Sequence, residues 1–336
     1  MPDHSTLVIG CGSIGERHLR CFLGTHRTAV TGCDTNQALL QGIAGKYSVP
    51  VRPNWEIALT DGGYDAVVIC TPAPFHIPIA RRALDAGMHV LIEKPLSHSL
   101  DGIDELLAAR DRNDRRAAVA YVLHQFPFLA QARAFLAQDE LGSVLQASLV
   151  SGQPFHRLRP GYAQTYYRRR DTGGGAVQDA LTHSANWIES VLGPTESVMC
   201  ECAHQAVPDV DVEDTALISA RHTGGALTSY SLNQFQAPNE TTLQFNTASG
   251  SVRIEFHEQR WGVFRESDPT WRWNHVPVVD RDAHFIAQAN AFLDGVEGRP
   301  ATLCSLEAAV QTLRFNLAAL ASADRGTRVF CHALNA

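Results

Sequence analysis

Over its first 122 residues the chain alternates short runs that are apolar at every position with stretches of helical spacing. Leu7-Val8-Ile9, Ala66-Val67-Val68-Ile69-Cys70 and Val90-Leu91-Ile92 have no polar side to turn toward water. A strand with one wet face alternates polar and apolar residues; a strand covered on both faces does not. Strands are therefore read at 6–9, 29–33, 66–70, 89–92 and 117–122, with helices at 13–22, 36–46, 78–86 and 103–112 between them. Buried strands separated by helices predict an α/β fold built on a doubly wound parallel sheet.

After residue 122 the pattern changes. A helix is expected at 128–138, a strand at 144–150, a loop rich in Pro, Arg and Tyr at 153–172, and a helix at 176–192. From 197 to 264 the runs have a period of two and are split by turns: 215–220, 226–232, 241–245 and 251–256. His222-Thr223-Gly224-Gly225 reads as a hairpin turn. Helices at 281–295 and 305–322 close the chain. This predicts an α+β part with a large, mainly antiparallel sheet, open on one face. A length of 336 residues favours two domains. The division is drawn at 1–122, for a dinucleotide, and 123–336, for substrate binding and oligomerisation. An open apolar sheet face needs a cover, so a homodimer or homotetramer is expected.

The run Val90-Leu91-Ile92-Glu93-Lys94-Pro95 adds chemistry to the first part. Proline cannot continue a central strand, so the strand stops there. Lys94 then stands at the carboxyl end of a buried parallel strand, the edge outside which ligands of such sheets bind. Upstream, Gly10-Cys11-Gly12-Ser13-Ile14-Gly15 fits G-x-G-x-x-G, after a strand and at the start of a helix. In that setting Gly10 makes the tight turn, Gly12 admits a pyrophosphate to the backbone, and Gly15 lets helix and strand pack. The helix N-terminus offers N–H groups to the phosphates. Asp34 follows about 20 residues on, where a carboxylate accepts the ribose hydroxyls and repels a 2′-phosphate. NAD is therefore expected in preference to NADP.

A second polar constellation follows three glycines. In Gly173-Gly174-Gly175-Ala-Val-Gln-Asp179-Ala-Leu-Thr-His183-Ser-Ala-Asn186, a regular α-helix sets Asp179, His183, Asn186 and Ser190 on one stripe. The glycines suggest a close approach of some other group to this backbone.

Taken together these segments resemble the glucose–fructose oxidoreductase / inositol dehydrogenase family (Gfo/Idh/MocA). The resemblance rests on Gly10–Gly15, Cys70-Thr71-Pro72-Ala-Pro-Phe-His76, the stretch from Ala86 to Leu96 containing Glu93-Lys94-Pro95, Gly173–Gly175 with Asp179 and His183, and the terminal stretch 319–329. It implies a Rossmann domain and NAD(P)-dependent oxidation or reduction of a sugar-like or cyclitol alcohol. It carries the family's catalytic lysine, aspartate and histidine onto Lys94, Asp179 and His183. It sets Thr71, Pro72 and His76 along the cofactor and Glu93 near the nicotinamide ribose. The chain departs from the family's usual pattern at Leu181, at Asn186, and at Ala120-Tyr121-Val-Leu-His124-Gln. Tyr121, His124 and Asn186 are expected to face substrate, and Tyr167 and Arg168 of the Arg-Tyr loop to contact it. The same fold also hosts NAD-using glycosidases and non-catalytic sugar sensors. Survival of Lys94, Asp179 and His183 argues against a sensor.

Composition excludes other classes. A net charge of −7 gives no general basic footprint for nucleic acid, Arg168-Arg169-Arg170 being the local exception. No apolar run has the roughly 18–20 residues that span a bilayer. The start of the chain lacks a basic n-region, and the eight cysteines include no C-x-x-C pair. A reduced, cytoplasmic protein is expected. His98, His156, His204 and His284 are read as ordinary surface or core residues, and no metal site is expected.

Overall fold

The computed structural model describes residues 2–334, which fall into two compact units. The first comprises the chain through Ser97, Asp101–Gln125 and Val279–Ala309; the second comprises His98–Leu100, Phe126–Val278 and the chain from Val310 onward. The division drawn from sequence at 122/123 lies three residues before the end of the segment Asp101–Gln125. It does not account for Val279–Ala309, which follows the second-sheet strand Arg272–His275 in the chain yet belongs to the first unit.

In the first unit, strands and helices alternate as β1 (His4–Ile9), α1 (Ser13–Leu23), β2 (Thr28–Cys33), α2 (Gln37–Tyr47), β3 (Val51–Arg52), α3 (Trp55–Asp61), β4 (Ala66–Ile69), α4 (His76–Asp85), β5 (His89–Ile92), α5 (Ile103–Asn113) and β6 (Ala117–Val119). Further along the chain come α9 (Arg281–Val296) and β15 (Cys304–Ser305). The sheet runs β15-β6-β5-β4-β1-β2-β3, all parallel except β15. All four residues of β4 are fully buried, as are Val90, Leu91 and Ile92. Each buried Val, Leu or Ile side chain here contributes about 1.5–3 kcal/mol, which is why these runs carry no polar residue. Side chains start the helices: Asn36 Oδ1 accepts from Ala38 and Leu39 N–H at 3.0 and 3.3 Å, and Asn54 Oδ1 from Ile57 N–H at 3.0 Å. The strand expected at 117–122 stops at Val119. Tyr121 N–H turns back to Val119 C=O at 2.8 Å, and a 3₁₀ turn, Val122–Gln125, follows.

In the second unit are α6 (Pro127–Leu136), β7 (Gln146–Gly152), the one-turn α7 (Phe155–Leu158), α8 (Thr182–Leu192), β8 (Thr195–Ala203), β9 (Thr215–His222), β10 (Leu227–Asn233), β11 (Glu240–Asn246), β12 (Gly250–Glu255), β13 (Arg260–Arg265), β14 (Arg272–His275), most of α10 (Leu306–Arg325) and β16 (Val329–Phe330). The sheet runs β14-β13-β12-β11-β7-β10-β9-β8-β16, antiparallel except for the β7–β10 pair. The turn expected at 222–225 joins β9 to β10, with Gly225 at φ +90°. One face packs on helices: Trp187 of α8 meets Phe245, and Phe315 of α10 meets Tyr230. On the other face Leu217 and Val150 stay more than half exposed, and Leu227 nearly so. No helix among the described residues is long and apolar enough to cross a membrane.

Helix α9 is a structural part of the first unit. Ala289, Phe292 and Leu293 enter the same core as Leu19 and Phe22 of α1, and the Phe22 and Phe292 rings meet edge-on at 6.1 Å. Phe292→Ala is expected to cost about 3–5 kcal/mol, read as a lower urea midpoint in the intact chain. An unchanged midpoint would show that α9 is not integral to this core.

Candidate active site

Five strand ends in the first unit lie level. Ile9 pairs in register with Cys33 on one side and Ile69 on the other; Ile69 pairs with Ile92, and Ile92 with Val119. The residues that follow (Gly10, Asp34, Cys70, Glu93 and Ala120) therefore leave the carboxyl edge of one sheet along one line. Gly10 holds φ +89°, and a Cβ there would come within 2.7 Å of Cys70 C=O; one on Gly15 would come within 1.7 Å of Gly10 C=O. Both glycines are required by the chain itself. Gly12 is different: nothing lies within 4 Å of where its Cβ would be, and it begins α1 without a side-chain cap. That open approach at a helix N-terminus, beside Ser13 and Ile14, fits a pyrophosphate.

Asp34 faces this turn. Its Oδ2 accepts from Cys11 N–H at 2.7 Å and its Oδ1 from Asn36 N–H at 2.8 Å, which fixes the carboxylate while leaving lone pairs for a ribose. Burial, with Asp34 next, pushes the Cys11 thiol up to about 12, so it is inert packing. Thr71 Oγ1 is buried and has no hydrogen-bond partner in the protein, which leaves it able to bond a group bound at this edge. The neighbouring Pro72 opens a 3₁₀ turn. These features fit the adenosine, pyrophosphate and ribose parts of a dinucleotide.

His76 is 1% exposed, with Nε2 at 2.7 Å from Thr71 C=O and Nδ1 at 3.0 Å from Pro95 C=O. It packs between two edge loops, where the neutral ring, with one N–H, donates to one of these two carbonyls. Glu93 Oε1 pairs with His18 Nε2 at 2.7 Å, and Oε2 accepts from Lys94 N–H at 2.9 Å. Glu93 thus fixes the backbone at Lys94, which is half-buried and joined to Pro95 by a cis peptide bond. Tyr121 and His124, both buried, follow β6 off the same edge.

The second unit carries Asp179 and His183. The expected helix over 176–192 begins as a π-helical turn, Ala176–Leu181, with Thr182 N–H reaching back five residues to Val177 C=O. The three glycines admit parts of the chain. A Cβ on Gly174 would lie 2.1 Å from Tyr167 C=O, and one on Gly175 (φ +94°) 2.4 Å from Glu213 Oε1. Asp179 is 4% exposed; its Oδ1 accepts from Tyr166 Oη at 2.8 Å, and Oδ2 lies 3.7 Å from Arg159 Nη1. His183 stands one turn on, half-buried. Asn186 is turned inward instead: its Nδ2 donates to Thr312 Oγ1 at 2.9 Å, and Thr312 donates to Glu189 Oε2 at 2.6 Å. Burial pushes the Glu189 carboxyl up, against the pull of Thr312, Gln311 and Thr195.

The Arg-Tyr loop also sorts differently from expectation. Tyr167 is 2% exposed, packed 4.3 Å from the Phe155 ring, with its hydroxyl on Gln234. It belongs to the small core of Phe155, Tyr162, Val207, Val210 and Val212. Arg168 is exposed on the loop surface, while Arg169 pairs with Asp171 at 2.5 Å. Tyr166 and Arg159 of this stretch reach the Asp179 carboxylate. No three metal-ligating side chains cluster among the described residues.

The fold and the edge geometry define a dinucleotide-binding Rossmann domain joined to a domain with an antiparallel sheet. Residues 5–121 match the family model described as "Oxidoreductase family, NAD-binding Rossmann fold", and residues 129–257 match the "GFO/IDH/MocA C-terminal domain". The chain belongs to the Gfo/Idh/MocA oxidoreductase family. Among similar proteins, an uncharacterized oxidoreductase of Synechocystis (sll0816) is 27% identical over 65% of this chain and 62% of its own length. An inositol 2-dehydrogenase/D-chiro-inositol 3-dehydrogenase of Shouchella clausii is 31% identical over 55% of this chain and 52% of its own length. The matches therefore span less than two thirds of these relatives. A solved levoglucosan dehydrogenase in complex with NADH superposes with a TM-score of 0.89 at 19% identity, covering 98% of this chain and 99% of that one.

Burial lowers the His76 pKa from 6.5, although the two carbonyls and Glu93 oppose it. The neutral ring's contribution to stability is then complete above about pH 6.5 and lost as the pH falls through the folded value. The stability difference between the wild type and His76→Asn should shrink between about pH 7.5 and 5.5, measured by urea unfolding. A gap that widens on acidification would reverse the assignment.

Proposed function

We propose that this chain is an NAD-dependent dehydrogenase that moves a hydride between nicotinamide and the hydroxyl-bearing or keto carbon of a sugar, cyclitol or sugar derivative. The observation that carries the reading is the level sheet edge, from which the glycine turn, Asp34, the unpartnered Thr71 hydroxyl and Lys94 all emerge. Similar proteins named inositol 2-dehydrogenase and D-xylose 1-dehydrogenase, and a structural neighbour named levoglucosan dehydrogenase, support the substrate class.

NAD, when bound, accepts or supplies the hydride. The protein handles the proton and the charge. The Lys94 ammonium donates to the reacting oxygen and stabilises the alkoxide character that develops there. His183 takes the proton in oxidation and returns it in reduction. Asp179, held by Tyr166 Oη and Arg159, presents a fixed carboxylate one turn before that imidazole. The Asp34 carboxylate, with no arginine directly after it, favours a ribose hydroxyl over a 2′-phosphate. The open sheet face, with Leu217, Leu227 and Val150 exposed, supports assembly into a homodimer or homotetramer.

A panel of sugars, inositols and sugar acids, read by NADH absorbance, is expected to yield a substrate with stoichiometric NADH. On that substrate Lys94→Ala should lower kcat/KM by about 10²–10⁴-fold. Full turnover by the variant would sink the role given to Lys94. Asp34→Ala should narrow the preference for NAD over NADP, and an unchanged ratio would contradict the ribose assignment. Light scattering should read more than one chain per particle.

A further inference from the structure

Glu213 precedes β9 in a rigid connection. The next residue, Asp214, accepts N–H groups from Gln205, Ala206 and Val207 at 2.7–3.0 Å. Its own N–H reaches Ala203 C=O at 3.0 Å, and its C=O receives Gln234 N–H at 2.9 Å. Glu213 is therefore delivered to a fixed place. It is 3% exposed, and its side chain enters beneath the third glycine of Gly173–Gly175. There its C=O accepts Ala176 N–H at 2.9 Å, and Oε1 accepts Val177 N–H at 3.1 Å. These are the first two N–H groups of the segment that carries Asp179 and leads into His183, donors that no residue within a helix can satisfy. A carboxylate at that terminus also faces the positive end of the helix.

The same carboxylate ties in the Arg-Tyr loop. Arg170 Nε lies 3.4 Å from Glu213 Oε2, while Arg170 Nη1 bridges to Asp324 at 2.9 Å. Gln178 Nε2 donates to Arg170 C=O at 3.0 Å, which stitches loop and helix a second time. Burial pushes the Glu213 carboxyl up; Val177 N–H and the Arg170 guanidinium work against that.

We infer that Glu213 is a positioning residue: it anchors the N-terminus of the 176–183 segment and the Arg-Tyr loop together, and so sets where Asp179 and His183 stand. The role in turnover rests on the dehydrogenase reading above; the anchoring does not. Hydrogen exchange, followed by mass spectrometry on the full-length chain with NAD present, reads the anchoring directly. In Glu213→Ala, exchange in the peptide covering 175–183 should rise about tenfold or more, while the rest of the second unit changes little. Glu213→Gln keeps an acceptor for Val177 N–H but loses the charge facing Arg170, and should fall between. On the substrate found by the panel, kcat should drop about tenfold or more with the KM for NAD nearly unchanged. Unchanged exchange over 175–183, or an equal rise throughout the unit, would overturn the inference. Retention of full kcat would overturn the positioning role. Should Glu213→Ala fail to fold, Glu213→Gln is judged by the same criteria. A wild type silent on every substrate counts against the dehydrogenase reading, and the exchange data alone then decide the anchoring.

Discussion

The register of the parallel sheet is the constraint on which the candidate cofactor site depends. Because Ile9, Cys33, Ile69, Ile92 and Val119 lie level, five loops leave the sheet at one height. A slip of one residue in any strand would turn its side chains to the opposite face. It would also move Asp34 or Lys94 off the line. The slip is opposed by burial on both faces, since β4 and the apolar part of β5 have nothing to expose. The edge is then trimmed by local ties: Asp34 on Cys11 N–H, Glu93 on Lys94 N–H, and His76 between Thr71 and Pro95. The two glycines at either end of the turn serve the same geometry, because only they let the turn sit against Cys70. The middle glycine alone faces open space.

This part of the molecule was the most legible from sequence, for a physical reason. A fully buried strand needs an unbroken apolar run, and a tight strand-to-helix turn needs glycine at fixed positions. Both demands are local and leave a direct trace in the chain. The central antiparallel runs of the second sheet were readable too, because one dry face and one wet face impose a period of two, whereas β13, β14 and β16 were not named. What escaped was non-local. Nothing in Val279–Ala309 says that Phe292 packs on Phe22, since an amphipathic helix does not name its partner.

The second constellation shows where periodicity fails. A regular helix would set Asp179, His183 and Asn186 on one stripe. The π turn over Ala176–Leu181 changes the phase, and Asn186 ends against Thr312 while Asp179 meets Tyr166. No residue type marks a π turn in advance. Adjacent tyrosines part in a similar way. In the 3₁₀ turn Tyr166–Arg168 successive side chains leave about 120° apart, so Tyr166 reaches a carboxylate and Tyr167 enters a core. Of the two loop residues read as substrate contacts, Tyr167 is committed to that core and Arg168 stands on the loop surface.

The triple glycine carries the sharpest lesson about what a sequence can say. Glycines announce that something comes close to the backbone; they do not announce what. Before a helix bearing Asp179 and His183, they point only to some other group approaching the backbone. The groups that come close are the Tyr167 carbonyl and the Glu213 carboxylate, the latter arriving from 38 positions downstream of Gly175. A Cβ at Gly175 would displace the acceptor of Val177 N–H, and with it the start of the helix. The glycine is therefore tied to the chemistry at one remove: it makes room for the anchor, and the anchor holds the carboxylate and imidazole proposed to act. Glycine and Glu213 are in this sense one feature, divided between two distant stretches of chain and joined only by folding.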